Sequence, residues 1–193
     1  MPPKSKFSQE DVVEAAIQVV RELGIEKLSA RAIAKQLNSS TQPIYSYMKS
    51  MQEFGHKLSD YIEGVFFQYM ATQYTGDLWL DQAIGYVFFA KREKNLFRFF
   101  FGIRGQETGM EVHPERVFEQ LLEQLSDYEG FQGLSTDEIH TLRRLRWQCT
   151  HGLACLINSL RGDLLTDEEI ISNLKNSTKI IVQGLRATRG EEP

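Results

Sequence analysis

The 193-residue chain is predicted to be all-α, an N-terminal three-helix helix-turn-helix domain over residues 1–49 followed by a helical regulatory and dimerisation domain over 50–193. Three observations predict this. Apolar residues recur at three- and four-residue spacing in almost every segment, and no run alternates as a strand would. Helix-start signals recur at Ser8 with Asp11, Ser29, Ser135 with Glu138 and Thr166 with Glu169, where a hydroxyl and an acid three residues on can satisfy the first free N–H groups. Breaks near Thr75-Gly76-Asp77, Gly102 to Gly109, Glu129 to Gly133 and Gly162-Asp163 then cut the chain at helical lengths.

In order, the first helix opens at Ser8, runs to Leu23 before Gly24, and turns Val13, Ala16, Ile17 and Val20 inward. The second is capped by Ser29 and buries Ala30, Ile33, Ala34 and Leu37. Asn38 ends it, because Asn tolerates the left-handed backbone that a sharp exit needs. A third helix begins at about Thr41, with Ser40 as its cap and Pro43 in its first turn, where no intrahelical donor is lost. Ile44 and Met48 anchor it, leaving Thr41, Gln42, Tyr45, Ser46 and Tyr47 on outer positions. A connecting helix over 50–75 carries Phe54, Leu58, Tyr61, Ile62, Val65 and Tyr69 on its inner face. Helices of about 77–93, 95–101, 113–128, 135–161 and 166–187 follow, with His113 as a cap and Pro114 just inside the third of these.

The outer face of the third helix suits DNA. Gln reads adenine with two hydrogen bonds, Thr offers a hydroxyl and a methyl group, and Tyr and Ser hydroxyls hold phosphates. Ser29, Arg31, Ser40, Thr41, Gln42, Tyr45, Ser46, Tyr47 and Lys49 form the candidate contact set. Charge supports this only weakly. Residues 1–60 carry eight Lys/Arg against seven Asp/Glu, and residues 61–193 fourteen against nineteen. Lys4, Lys6, Arg31, Lys35 and Lys49 are the local cations, the first two on a terminus expected to be frayed and solvated.

The pattern of a helix ending in Gly24, Ser29 through Ile33-Ala34, Leu37-Asn38-Ser39-Ser40, Ile44-Tyr45-Ser46-Tyr47-Met48-Lys49-Ser50 and then a long helix resembles the tetracycline-repressor (TetR-like) family of bacterial transcription regulators. The match covers about 60 residues. The resemblance implies phosphate contacts from Tyr45 and Tyr47, and base contacts from Thr41 and Gln42. Two positions depart from the family pattern: Asn38 stands where Gly is common, and Met51 stands where a lysine usually begins the fourth helix, followed by Gln52 rather than an acid. The second departure removes a phosphate anchor for which Lys49 can substitute.

The last two helices carry long apolar seams, Leu142, Leu145, Cys149, Gly152, Leu153, Leu156 and Leu160 on one and Ile170, Leu174, Ile181 and Leu185 on the other, with small residues permitting close approach. A four-helix bundle made by two copies would bury them, so Leu145, Cys149, Gly152, Leu153, Leu156, Ile170, Leu174, Ile181 and Leu185 are the candidate homodimer interface. The family resemblance favours this dimer, and Trp147 with His151-Gly152-Leu153 resembles a short signature in some of its C-terminal domains.

Eight of the twelve Phe fall within Phe66–Phe101, and the run Phe97-Arg98-Phe99-Phe100-Phe101 points around most of a helix. Some of these rings must face other helices, a cavity or a partner. The resemblance implies a pocket among the middle helices, here assigned to Trp79, Tyr86, Phe89, Phe97, Phe100, Phe101, Trp147 and His151 and suited to a small apolar or aromatic ligand.

Cys149 and Cys155, six residues apart on one helix, point about 240° away from each other and cannot bridge. They are expected to be buried small residues. His56, His113, His140 and His151 show no metal-ligand spacing, no phosphate loop or nucleophile motif occurs, and the acids at 167–169 complement a helix dipole, so neither a cofactor, a metal nor an enzyme activity is expected. With no signal peptide and no apolar run near the ~20 residues that span a bilayer, a cytoplasmic protein off the membrane is expected.

These readings combine into a ligand-responsive, homodimeric repressor binding a pseudo-palindromic operator in double-stranded DNA. The alternative, motivated by Met51 and the feeble charge of residues 1–60, is a helical dimeric protein-interaction adaptor with weak or lost DNA binding. Met51 supplies a test. If it begins the helix beside the DNA backbone, Met51→Lys adds one phosphate contact per protomer, so the slope of log affinity against log salt steepens by up to roughly 1.8 per dimer with the preferred sequence unchanged. Titration at several salt concentrations reads the slope, and an unchanged slope removes Met51 from the phosphate backbone.

Overall fold

The structure is a computed structural model that describes residues 7–47, 51–101, 113–159 and 165–188. Nine α-helices occur among these residues, and no strand. They are α1 (Gln9–Leu23), α2 (Ala30–Gln36), α3 (Thr41–Tyr47), α4 (Met51–Ala71), α5 (Leu78–Arg92), α6 (Lys94–Phe101), α7 (Pro114–Glu123), α8 (Thr136–Ser159) and α9 (Asp167–Thr188). Short 3-10 turns lie at Ile25–Lys27 and Glu129–Phe131. The helices fall into two compact units, Met1–Val65 with Glu93–Glu115, and Phe66–Arg92 with Arg116–Pro193. The boundary between units lies inside α4, and α6 belongs to the first.

In the first unit, the Ser8 hydroxyl accepts from the Asp11 N–H at 3.1 Å and the Ser8 N–H donates to Asp11 Oδ2 at 2.7 Å, a complete capping box. The expected inner face of α1 is buried, together with Val12, Ala15 and Val19, because α1 packs on both α2 and α6. Asn95 Nδ2 donates to the Arg21 carbonyl at 2.8 Å near the end of α1, and Arg21 pairs with Glu93 at 3.0 Å. The aromatic run of α6 finds its place here. Leu96, Phe97, Phe99 and Phe100 are buried, and Phe101 meets Phe97 and Phe100 with ring centroids 5.0 Å apart.

In the second unit, α5 is buried on every side from Trp79 to Ala90. Such a helix needs neighbours all round, and α8 and α9 pack against it. Gly85 permits a further close approach: a Cβ there would lie 2.8 Å from the Met70 Cα and closer still to the Tyr69 carbonyl, both on α4. The polar side chains of α5 are bonded by the loop before it and by the helices around it. Asp81 accepts from the Thr75 N–H and hydroxyl, each at 2.7 Å, and from the Gly76 N–H at 3.0 Å. Gln82 Nε2 donates to the Leu121 carbonyl at 3.1 Å. Lys91 and Arg92 meet Asp167 at 2.8 and 2.6 Å, and the Lys91 hydrogen bond in particular holds that carboxyl below its usual range. Capping boxes open α8 and α9 as expected: Glu138 Oε2 accepts from the Ser135 N–H at 2.8 Å, and Glu169 Oε2 accepts from the Thr166 N–H at 2.8 Å.

Four expectations are corrected. The helix over 113–128 stops at Glu123, because tighter turns from Leu125 to Leu122 and from Ser126 to Glu123 bring Leu125 and Phe131 into a cluster with Trp79 and Leu142. The connecting helix ends at Ala71, and Tyr61 is exposed while Phe66 and Met70 take the inner face. Cys149 is exposed and Cys155 only half-buried. The seam of α9 is internal: Ile170 and Leu174 are buried within the protomer, and Ile181 and Leu185 pack on the Trp79 cluster.

Gly85→Ala therefore forces the α4 and α5 backbones apart and costs about 1–3 kcal/mol, lowering Tm by about 2–12 °C. Gly64→Ala, on an open face of α4 with nothing within 4 Å of the added Cβ, raises Tm through helix propensity. Thermal melts of the two variants check the contrast.

Candidate functional site

The α2–α3 corner is built from a cap, a left-handed residue and one buried anchor. The Ser29 hydroxyl accepts from the Ala32 N–H at 3.2 Å, so that hydroxyl starts α2. Asn38 adopts φ 49, the only positive φ at a non-glycine among the described residues, and the Ser39 N–H closes back on the Ala34 carbonyl at 2.8 Å. Ile33, Ala34 and Ile44 are buried, whereas Ala30 and Leu37 are half-buried.

With Ile44 turned inward, Gln42 and Tyr45, three residues apart, project outward; Tyr45 is 63% exposed and Thr41 half-buried. Ser40, Arg31 and Lys35 are exposed nearby in the sequence. Tyr47 has a different partner from the phosphate expected: it is half-buried, and its hydroxyl donates to the Phe7 carbonyl, tying the start of the described chain to α3. The Ser46 side chain, Met48 and Lys49 lie outside the described residues, as do the side chain of Met51 and the cations Lys4 and Lys6.

The second unit holds a cavity of about 80 Å³, opening to about 480 Å³ of unfilled space once its mouth is counted. Its walls follow helical spacing: Trp79, Gln82, Ala83 and Tyr86 from α5, Arg143, Arg146, Trp147 and Thr150 from α8, Phe118, Leu121 and Leu122 from α7, together with Met70 and Leu125. Three of the expected residues, Trp79, Tyr86 and Trp147, line it. Phe89 is buried beside Phe66, with ring centroids 5.1 Å apart, and is not part of the wall. Phe97 and Phe100 are buried in the first unit, and Phe101 packs half-buried against them.

His151 stands behind the wall. Burial raises the Tyr86 phenol above its usual pKa and lowers that of the imidazole, and the phenol oxygen and His151 Nδ1 share a hydrogen bond of 2.7 Å. Nε2 of the same ring lies 3.4 Å from Cys155 Sγ, and burial pushes the thiol up, away from the reactive thiolate. The Trp147 ring stacks on the imidazole at 5.2 Å.

Arg143, Arg146 and Thr150 are the residues that sequence reasoning missed. Arg146 donates to the Trp79 carbonyl, and its guanidinium lies 4.3 Å from the centre of the Trp79 ring; that of Arg143 lies 5.2 Å from Phe131. Desolvation pulls Arg146 down to about 9, which leaves it charged at neutral pH. The Arg143 Nε and Thr150 Oγ1 atoms are buried without a hydrogen-bond partner. Each such group costs about 1–3 kcal/mol when unpaired. Their spacing of 143, 146, 147 and 150 marks one helical face, but with Arg144 beside them it reads from sequence as a solvated stripe.

Among the described residues no group of three His, Cys, Asp or Glu could hold a metal, and no helix is long and apolar enough to cross a membrane. No family model matches the chain, and no curated protein matches it.

Proposed function

We propose that the chain is a ligand-responsive transcription regulator of the cytoplasm, a repressor that binds a pseudo-palindromic operator as a homodimer, in keeping with the TetR-like pattern of residues 29–50. The observation that carries this reading is the α2–α3 corner: Asn38 in the left-handed conformation, Ile44 buried, and Gln42 and Tyr45 presented to solvent from the same short helix. A solvated hairpin has no need of an exposed tyrosine beside a glutamine, whereas a major-groove reader uses a bidentate amide for bases and a hydroxyl for the backbone. Helix α4 runs unbroken from the first unit into the second, which supports a role as the lever between cavity and DNA. The coupling needs only that a ligand favour one of two dimer geometries.

For the dimer, the support lies on α8. Leu145, Cys149, Gly152 and Leu156 recur every three or four residues and are all exposed, Leu156 to 56%. A second copy packed on this stripe would bury it, with Leu153 half-covered already within the protomer. The interface so revised uses the outer face of α8 and leaves Ile170, Leu174, Ile181 and Leu185 to the protomer's own core.

Gln42→Ala is expected to cost on the order of 1–3 kcal/mol on a selected operator and to relax preference at one position, while Tyr45→Phe weakens selected and random duplex alike. Competition titrations read both; equal losses on the two DNAs for Gln42→Ala would remove Gln42 from base readout.

Leu156→Glu places an unpaired charge in the proposed interface, so the protein is expected to sediment as a folded monomer and operator affinity to collapse, because one half-site alone holds too few contacts. A folded Leu156→Glu dimer would contradict the interface.

A further inference from the structure

An apolar guest leaves the chemistry of the cavity unexplained. Arg143 and Arg146 stand three residues apart on α8 and both line it, with Thr150 on the same face. Neither arginine has a carboxylate oxygen within 4.0 Å among the described residues. Aromatic rings and a backbone carbonyl are what they meet within that distance, and the Asp77 carboxylate acts on Arg146 only from beyond it. Buried charges are ordinarily paired, and buried hydroxyls bonded. Here the Arg143 Nε is shielded and unpartnered, and the Thr150 side chain, on a residue only 4% exposed, is unpartnered as well.

We propose that the cavity binds a small organic carboxylate, its head held by Arg143, Arg146 and Thr150 and its apolar body, aryl or short acyl, laid against Trp79, Phe118 and Leu121. A carboxylate offers two coplanar acceptors, the pattern a guanidinium fork is built to meet, and it offsets the positive charge that Asp77 alone leaves on the two arginines, as an apolar guest does not. Size agrees. The cavity of about 80 Å³ is about half the ~150 Å³ in which a benzene ring sits dry, so the head group fits inside while the body lies toward the exposed Leu122 and Trp147 at its mouth. This inference deepens the ligand-responsive reading proposed above and rests on it for its regulatory meaning, while the binding itself is measured without DNA.

Trp79 and Trp147 are the only tryptophans in the chain and both line the cavity, so intrinsic fluorescence reads occupancy directly. The probes are phenylacetate and hexanoate, each against its neutral amide, at pH 7. The acids are expected to bind at least about tenfold more tightly than the amides. In Arg143→Gln, which keeps a polar group of similar reach and removes the charge, that preference falls to within about threefold. Thr150→Val, which keeps the shape and removes the hydroxyl, weakens the acids and leaves the amides unchanged. Acids and amides that bind equally, a preference for acids that survives Arg143→Gln, or no binding by either acid up to about 10 mM overturns the proposal. Operator selection by the ligand-free protein separates the two readings. A protein that binds the acids and selects no DNA keeps the carboxylate site and loses the regulator; one that selects DNA and ignores the acids does the reverse.

Discussion

Helix α5 has no water-facing side between Trp79 and Ala90, and the rest of the second unit is arranged to meet that demand. A helix so enclosed cannot leave its polar groups to solvent, so each must be bonded by what packs against it. Asp81 turns back on the loop before α5, Gln82 reaches the Leu121 carbonyl on α7, and Tyr86 reaches His151 on α8. Gly85 supplies the one place where a missing side chain lets α4 approach. Where α5, α7 and α8 leave a gap, the polar accounting fails. That gap is the cavity, where Arg143 Nε and Thr150 Oγ1 lack partners; the only other such atom among the described residues is Thr178 Oγ1 on α9, away from the wall.

The same reasoning divides the surface of α8 in two. One stripe, Leu142, Thr150, Ala154, Ile157 and Asn158, faces the protomer, with Asn158 bonded to the Ala90 carbonyl at 3.0 Å. The other, Leu145, Cys149, Gly152 and Leu156, faces out. A long helix that is apolar on both sides has two packing jobs, and the second unit performs only the first.

Local chemistry was legible in the sequence, and partners were not. Ser8 with Asp11, Ser135 with Glu138 and Thr166 with Glu169 act over three residues, so their capping roles follow from spacing alone. Asn38 is the same kind of case, since its left-handed φ is a property of one residue and the turn it must make. Apolar periodicity, by contrast, says that a stripe is covered without saying by what. The α9 stripe has the spacing of a dimer seam and is covered by α5 and α8; Tyr61 has the spacing of a core residue and is exposed. The rings at Phe97, Phe100 and Phe101 satisfy an aromatic pattern equally well in a core or a cavity wall, and only tertiary placement put them in the first unit. Arg143 and Arg146 were invisible for the opposite reason, because charged residues are read as solvated unless a structure encloses them.

Selection of duplexes from a random library at about 150 mM salt, followed by hydroxyl-radical footprinting, asks whether the α2–α3 corner reads DNA. A reading helix there enriches one pseudo-palindromic sequence with two protected half-sites whose centres lie about one helical turn, or a multiple of it, apart on one face of the duplex. No enrichment over random duplex at that salt, with the protein folded, would contradict it.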